Sequence, residues 1–257
     1  MQAADPLSFL ADICLPRGLH NDNIRYRLRL FYFCHRFIKE LKNDIPPDIV
    51  PTAIASLRDL LPIVVEIPEP EEPETDLLSE AIKDSTFNSQ LYLYETTGTL
   101  CSLIFKTPSE QAAMLLSLVK PLMDDLSLNF QAFRSNGPSD LIPIVRVHHV
   151  IMALGNISKG FPDYPNPVPP NYIPPPMEVF TEIAQAILVC LEAMNIFKPI
   201  RDAVRLLYFK KINLFLPFSL DKICFCKNFG NCWTISHPLY PAVDEQFINT
   251  FRTLGTG

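Results

Sequence analysis

Residues 88–133 constrain the fold more than any other stretch of this chain. The first half, NSQLYLYETTGTLCSLIF, carries a narrow polar stripe at Glu95, Thr99 and Ser102, spaced i, i+4, i+7, and apolar residues fill the rest of the circumference. That pattern predicts a helix packed on most sides. The β-forming run Leu91 to Tyr94 also permits a strand, but the apolar pattern continues for about eighteen residues, too long for one. Thr107-Pro108-Ser109-Glu110 then reads as a capping box with proline at the first helical position, Thr107 accepting from a backbone N–H and Glu110 reaching back. The helix it opens would bury Met114, Leu115, Leu118, Leu122 and Leu126. A helix pair of this kind cannot bury both apolar faces alone, so it requires similar neighbours.

Such neighbours recur. First helices of pairs begin near residues 24, 88, 143 and 199, at spacings of 64, 55 and 56 residues. Insertions of 21, 10 and 15 residues, at 66–86, 132–141 and 162–176, interrupt them. Without these the period is 43, 45 and 41 residues, close to the roughly 40–47 of HEAT and armadillo repeats. The fold class expected is therefore all-α, an α-solenoid of HEAT-type antiparallel helix pairs at about 24–65, 88–131 and 143–197, with a partial pair from 199. Residues 1–23 form an N-terminal extension and residues 206–257 an atypical tail.

Composition agrees. The chain has 257 residues, 48% of them hydrophobic, and only 8 glycines, which suits a folded helical chain better than an all-β one. No apolar run approaches about 20 residues, so no membrane span is expected. The N-terminus has no basic region before its apolar residues, so no secretory signal is expected. Cys14, Cys34, Cys101 and Cys190 sit in apolar helical surroundings and read as buried reduced thiols. The net charge of −6 is local: Glu66, Glu69, Glu71, Glu72, Glu74 and Asp76 supply six negative charges, and the remainder balances. This proline-punctuated acidic insertion reads as a solvated loop, with a docking segment for a basic partner as the alternative.

The first helix, IRYRLRLFYFCHRFIKELK, follows Asn21 and Asp22, either of which could cap it. It would bury Leu28, Phe31, Cys34 or His35, Ile38 and Leu41, with a partner helix at about 47–63. Arg25, Arg29, Arg36 and Lys39 mark a basic flank, continued by Lys42. Such residues ordinarily form a solvated face; phosphate contact or salt bridges to a partner are the alternatives. His148 and His149 are adjacent and point about 100° apart on a helix, unlike zinc ligands at i, i+4; they read as one packed and one exposed histidine. Gly155 and Gly160 allow close packing and then termination. FPDYPNPVPPNYIPPP, with eight prolines in sixteen residues, is an extended polyproline-type crossing, or alternatively a docking site for a proline-reading domain.

RYRLRLFYFCHRFIKEL, QLYLYETTGTLCSLI with its partner PSEQAAMLLSLVKPLM, and VRVHHVIMALGNISKGFP together resemble the exportin-T family, in a fungal-type version. These are tRNA nuclear-export receptors of the importin-β (karyopherin) superfamily. The likeness covers residues 18–205. It implies a HEAT solenoid that binds tRNA and Ran-GTP in the nucleus, passes nucleoporins, shuttles between nucleus and cytoplasm, and has no catalytic residues, cofactor or metal. Arg25, Arg29, Arg36, Lys39 and Lys42 are the candidate contacts for tRNA or a partner. Family members are far longer, and their principal Ran-binding repeats lie N-terminal to this stretch, so an internal fragment or incomplete gene model is expected.

The tail after Arg205 loses helical periodicity and reads as translated non-coding sequence or a frameshift. A zinc site at Cys224, Cys226, Cys232 and His237 is the alternative, although C-x-C is tighter than the usual knuckle. The second helices carry Asp48, Arg58, Asp59, Glu110, Lys120, Asp124, Asp125, Glu178, Glu182 and Glu192, not a basic footprint for RNA. No aromatic–basic interleaving is visible along the chain. Weak or no tRNA binding by this chain alone is expected, together with self-association through the ends of the stack. A generic HEAT or armadillo scaffold, or another karyopherin binding protein partners, explains the period but not the specific words. An enzyme is not expected: Cys34 and His35 diverge on a helix, and no phosphate loop or nucleophile elbow is present.

Overall fold

The computed structural model describes residues 18–207, apart from 71, 73, 74, 164 and 166. Cys14 with most of the N-terminal extension, and Cys224, Cys226, Cys232, His237 with nearly all of the atypical tail, lie outside the described residues. The described part is helical, without strands among the described residues. In chain order the helices are α1 (Ile24–Leu41), α2 (Val50–Leu57), α3 (Leu77–Ile82), α4 (Ser85–Ser102), α5 (Pro108–Asn136), α6 (Leu141–Gly160), α7 (Met177–Met194) and α8 (Lys198–Leu207).

Each first helix packs on the next: α1 on α4, α4 on α6 and α6 on α8, with α2, α5 and α7 as the second layer. The side-chain pairings give the sense of the layer. Tyr32 meets Tyr92 and Lys39 meets Glu95, while Phe87 meets His149 and Glu95 meets Lys159. Along α1, α4 and α6 the numbers rise together, so successive first helices run parallel and each second helix must return between them. This is the expected all-α solenoid of helix pairs.

Local chemistry explains where the elements depart from the sequence expectation. Asn23 caps α1, accepting from the Tyr26 N–H at 3.2 Å; Asn21 instead accepts from the Asn23 N–H at 2.9 Å. The expected helix over 47–63 is shorter, because Pro51 has no N–H for the carbonyl four residues back and is tolerated only in a first turn. The α-helix therefore starts at Val50, with 3-10 turns at Pro47–Ile49 and Arg58–Leu60. The acidic insertion is helical over much of its second half. Asp76 accepts from the Ser79 N–H and hydroxyl at 3.2 and 2.6 Å, opening α3, whose buried Ala81 belongs to the side that meets α6. Asp84 caps α4, accepting from Thr86 and Phe87 N–H at 3.0 Å each, so α4 begins three residues before the expected start.

The capping box of α5 closes differently from expectation. The Thr107 hydroxyl donates to the Glu110 carboxylate at 2.6 Å and makes no bond to the helix backbone. Gln111 does the capping at this junction, donating to the Cys101 and Ser102 carbonyls at 3.2 and 3.3 Å, where α4 ends. Helix α5 continues to Asn136, through half of the expected 132–141 insertion, until Gly137 at φ +79° ends it. Helix α6 is long and apolar enough by composition to cross a bilayer, but 67% of that window is buried within the fold, where α4, α5 and α8 pack around it.

Trypsin and a glutamate-specific protease should both spare α3 to α5. The expected first cut by the glutamate-specific enzyme is after Glu66, Glu69 or Glu72, in backbone that belongs to no helix. An early product ending inside α5 would contradict this helix assignment.

Candidate partner interface on the first helix

The core of the site is helix α4, buried at every residue from Leu93 to Cys101. The polar stripe read from the sequence is therefore internal, and Glu95 is the reason it is tolerated. Its carboxylate lies buried among residues of three successive first helices. Lys159 of α6 donates to it directly, Lys39 of α1 lies at 3.4 Å, and His35 of α1 at 3.7 Å. Burial alone would raise the Glu95 pKa; the Lys159 hydrogen bond and the positive charge around it reverse that and hold it below its ordinary value. His35 is pushed down by burial, pulled up by Glu95, and pushed down again by Lys39, Lys159 and Arg36. The net direction is downward, so His35 is neutral at neutral pH and the two lysines carry the charge balance. A charge with hydrogen-bonded partners is the condition under which burial is tolerated.

Gln90, Tyr94 and Gly98 of the same run are equally occupied. Gln90 donates to the carbonyls of Leu60 and Pro62 at 2.7 and 3.0 Å, and the Tyr94 hydroxyl donates to that of Leu61. These three carbonyls follow the end of α2, where helix carbonyls lack internal partners. Gly98 lets α4 and α6 touch: a Cβ there would lie 2.0 Å from the Ile157 carbonyl oxygen. Gly160 does the same from α6, 2.3 Å from the Thr99 nitrogen. Glu95→Gln should lower stability by about 2 kcal/mol, the scale of a hydrogen bond to a charged group. Both lysines are partly exposed and can turn to water, which keeps the loss well short of that for a stranded buried charge. A change in urea midpoint indistinguishable from zero would show that Glu95 is not an organising contact.

Of the five candidate contacts, Arg25, Arg29 and Arg36 lie exposed along one stripe of α1, at i, i+4 and i+11. Arg36 pairs with Glu40 at 3.3 Å, an exposed pair of small energetic weight. Arg25 and Arg29 make no ion pair among the described residues. Lys39 belongs to the Glu95 cluster, so it is a positioning residue first and only half available to a partner. Lys42, at the C-cap, is turned about 100° from Arg25 round the helix. In the second layer Asp125 is tied to Arg146 at 3.1 Å, Lys120 to Asp124 at 3.4 Å, and Arg58 donates to Ser117 at 3.3 Å, while Arg134 of α5 is exposed.

Two sequence expectations are corrected here. His148 and His149 are both buried, at 7% and 1% exposure. His149 stacks on Phe87 with ring centroids 3.7 Å apart, and the two Nδ1 atoms share a hydrogen bond at 3.1 Å, one donating and one accepting. The two side chains leave the helix in different directions, but both directions meet protein because α6 has neighbours on several sides. The second correction concerns aromatic–basic interleaving. Tyr32 sits at i+7 in the Arg25–Arg29–Arg36 stripe, 49% exposed, and meets Tyr92 of α4 edge-on at 5.1 Å. The sequence hides this because the second ring comes from 60 residues away. The thiols of Cys101 and Cys190 are pushed up to about 12 by burial, which leaves them unreactive.

The family model described as Exportin-T matches residues 8–222, reaching beyond both ends of the stretch 18–205 on which the resemblance was read. The Exportin-T of Laccaria bicolor is 68% identical over 189 residues, which is 74% of this chain and 18% of that protein. That of Coprinopsis cinerea is 57% identical over 190 residues, again 74% and 18%, and that of Mycosarcoma maydis 36% identical over 191 residues, 74% and 17%. The chain thus spans less than a fifth of the length of these curated relatives. With the stacked first helices locked by the QLYLYE…G words that carried the resemblance, and the match covering most of its length, the chain belongs to the exportin-T family.

Proposed function

We propose that this chain is a scaffold segment of a nuclear export receptor that carries tRNA from nucleus to cytoplasm with Ran-GTP, passing nucleoporins as it shuttles. Family membership supports the receptor role. The observation that carries the scaffold part is the α4 cluster: Gln90, Tyr94, Glu95 and Gly98 all hold neighbouring helices together. These four residues therefore build the stack and do not face a cargo. The contacts available to tRNA or a protein partner are the exposed residues of α1, with Arg25 and Arg29 foremost, then Arg36 and Lys42, and Lys39 only in part.

Tight backbone binding needs several phosphates neutralised together, and each adds to the salt dependence. Two unpaired arginines and an acidic second layer do not provide that. Titrating tRNA into the 257-residue chain at two salt concentrations should give affinities of roughly 10⁻⁴–10⁻⁶ M or weaker at physiological salt. Added Ran-GTP should leave them unchanged, and Arg25→Gln with Arg29→Gln should weaken them further. Submicromolar, Ran-enhanced binding at the higher salt would place the cargo grip in this segment and overturn the scaffold reading.

A further inference from the structure

We propose that Tyr32 and Tyr92, set between the arginines of α1, form a stacking platform for one unpaired nucleotide of a bound RNA. The inference rests on the reading of α1 as an RNA-facing surface. Arg25, Arg29, Tyr32 and Arg36 follow i, i+4, i+7 and i+11, the spacing by which a helix ordinarily presents a core stripe. Here every member of the stripe is exposed, so the spacing builds a surface. Tyr92 reaches the same place from α4 and is 36% exposed. Its ring lies 5.1 Å from Tyr32 at an interplanar angle of 70°, and 5.6 Å from the His35 ring behind it. Backed by His35 and crossed by its neighbour, the Tyr92 ring is held in place, so little side-chain freedom is lost when a base stacks on the pair.

Arg29 and Arg36 lie about 10 Å apart along the helix axis, on either side of Tyr32. That arrangement combines cations for the backbone with an aromatic face for the base, the pattern by which unpaired RNA is held without sequence preference. Neither tyrosine hydroxyl is committed to a hydrogen bond among the described residues, leaving both available to ribose or phosphate.

The test uses the whole 257-residue chain and three probes at low salt: an eight-nucleotide oligouridylate, inorganic polyphosphate, which has the charge without the bases, and a glutamate decapeptide as an acidic protein segment. Tyr32→Ala should weaken oligouridylate binding at least fivefold, the lower end for one stacked base, and leave polyphosphate unchanged. Tyr92→Ala should do the same. Tyr32→Trp, made with Trp233→Phe so that the new indole is the sole one, keeps the packing; it should retain affinity and show indole emission quenched on adding oligouridylate, which keeps the test valid should an alanine variant misfold. Arg25→Gln with Arg29→Gln should weaken both probes. Equal oligouridylate affinity in wild type and Tyr32→Ala, or an unquenched Tyr32→Trp, overturns the platform while the α1 reading stands. No effect of the arginine pair on either probe overturns the α1 reading itself. Loss of a glutamate decapeptide in parallel with oligouridylate in Tyr32→Ala would assign the face to an acidic protein and overturn the nucleotide proposal.

Discussion

Gly98→Ala will destabilise the chain by about 3 kcal/mol, the upper end for overpacking a tight core contact. The added methyl would sit 2.0 Å from the Ile157 carbonyl oxygen and 2.8 Å from its carbon. These are backbone atoms of α6, so no rotamer change relieves the clash; α4 and α6 must move apart. Such a shift also disturbs the Glu95–Lys159 contact one turn away and the Gly160 contact on Thr99. Alanine's helix preference over glycine, about 1 kcal/mol, works in the opposite direction and reduces the net effect. The check is the urea midpoint of Gly98→Ala against Ser127→Ala, an exposed position of α5 where the change should stay within about 0.5 kcal/mol. Equal midpoints would show that α4 and α6 do not approach this closely.

The second large effect is a loss of stability on mild acidification. Burial lowers the His148 pKa to about 4. Burial, then the neighbouring His148, lower that of His149 to about 3, with Asp84 opposing and Arg146 assisting. In the unfolded chain both titrate near the ordinary 6.5. Because the folded values are depressed, the unfolded chain binds more protons below that pH. The histidine contribution is therefore intact above pH 6.5 and is lost as pH falls toward 4. Each neutral imidazole costs about 1.4 kcal/mol per pH unit across that window. The pair together should remove about 4 kcal/mol between pH 7 and pH 5. His35, also depressed, acts in the same direction. Glu95 does not contribute here, since its lowered pKa keeps it ionised throughout the window. Urea midpoints measured from pH 7 to pH 5 should fall steeply in the wild type and much less in His148→Gln with His149→Phe. A flat wild-type profile would mean that the imidazoles reach water.

Periodicity alone determined a good deal of this protein. The apolar pattern of residues 88–133, the recurring helix starts, and the low glycine count define an all-α stack of helix pairs, and Leu91–Tyr94 is helical despite its β-forming residues. These features are local: a helix buries whichever stripe recurs at 3.6 residues, so the stripe is legible without knowing its partner. Helix α7 begins at Met177, one residue beyond the proline-rich insertion expected at 162–176.

What only the tertiary structure decided concerns polar residues, whose environment depends on what lies opposite. Glu95, Thr99 and Ser102 have the spacing of a solvent stripe, yet Glu95 is 3% exposed because Lys39 and Lys159 arrive from helices on both sides. The sequence places those lysines 56 and 64 residues away, and no pattern within one helix reveals them. The same holds for the histidine pair: helix geometry sends the two side chains off in different directions but could not tell that their rings meet through Nδ1, that Phe87 stacks on His149, or that both are buried. It also holds for Tyr92, which joins an arginine stripe on another helix. Backbone patterning is written every three or four residues along one chain, whereas charge balance and surface chemistry are settled between residues that only folding brings together.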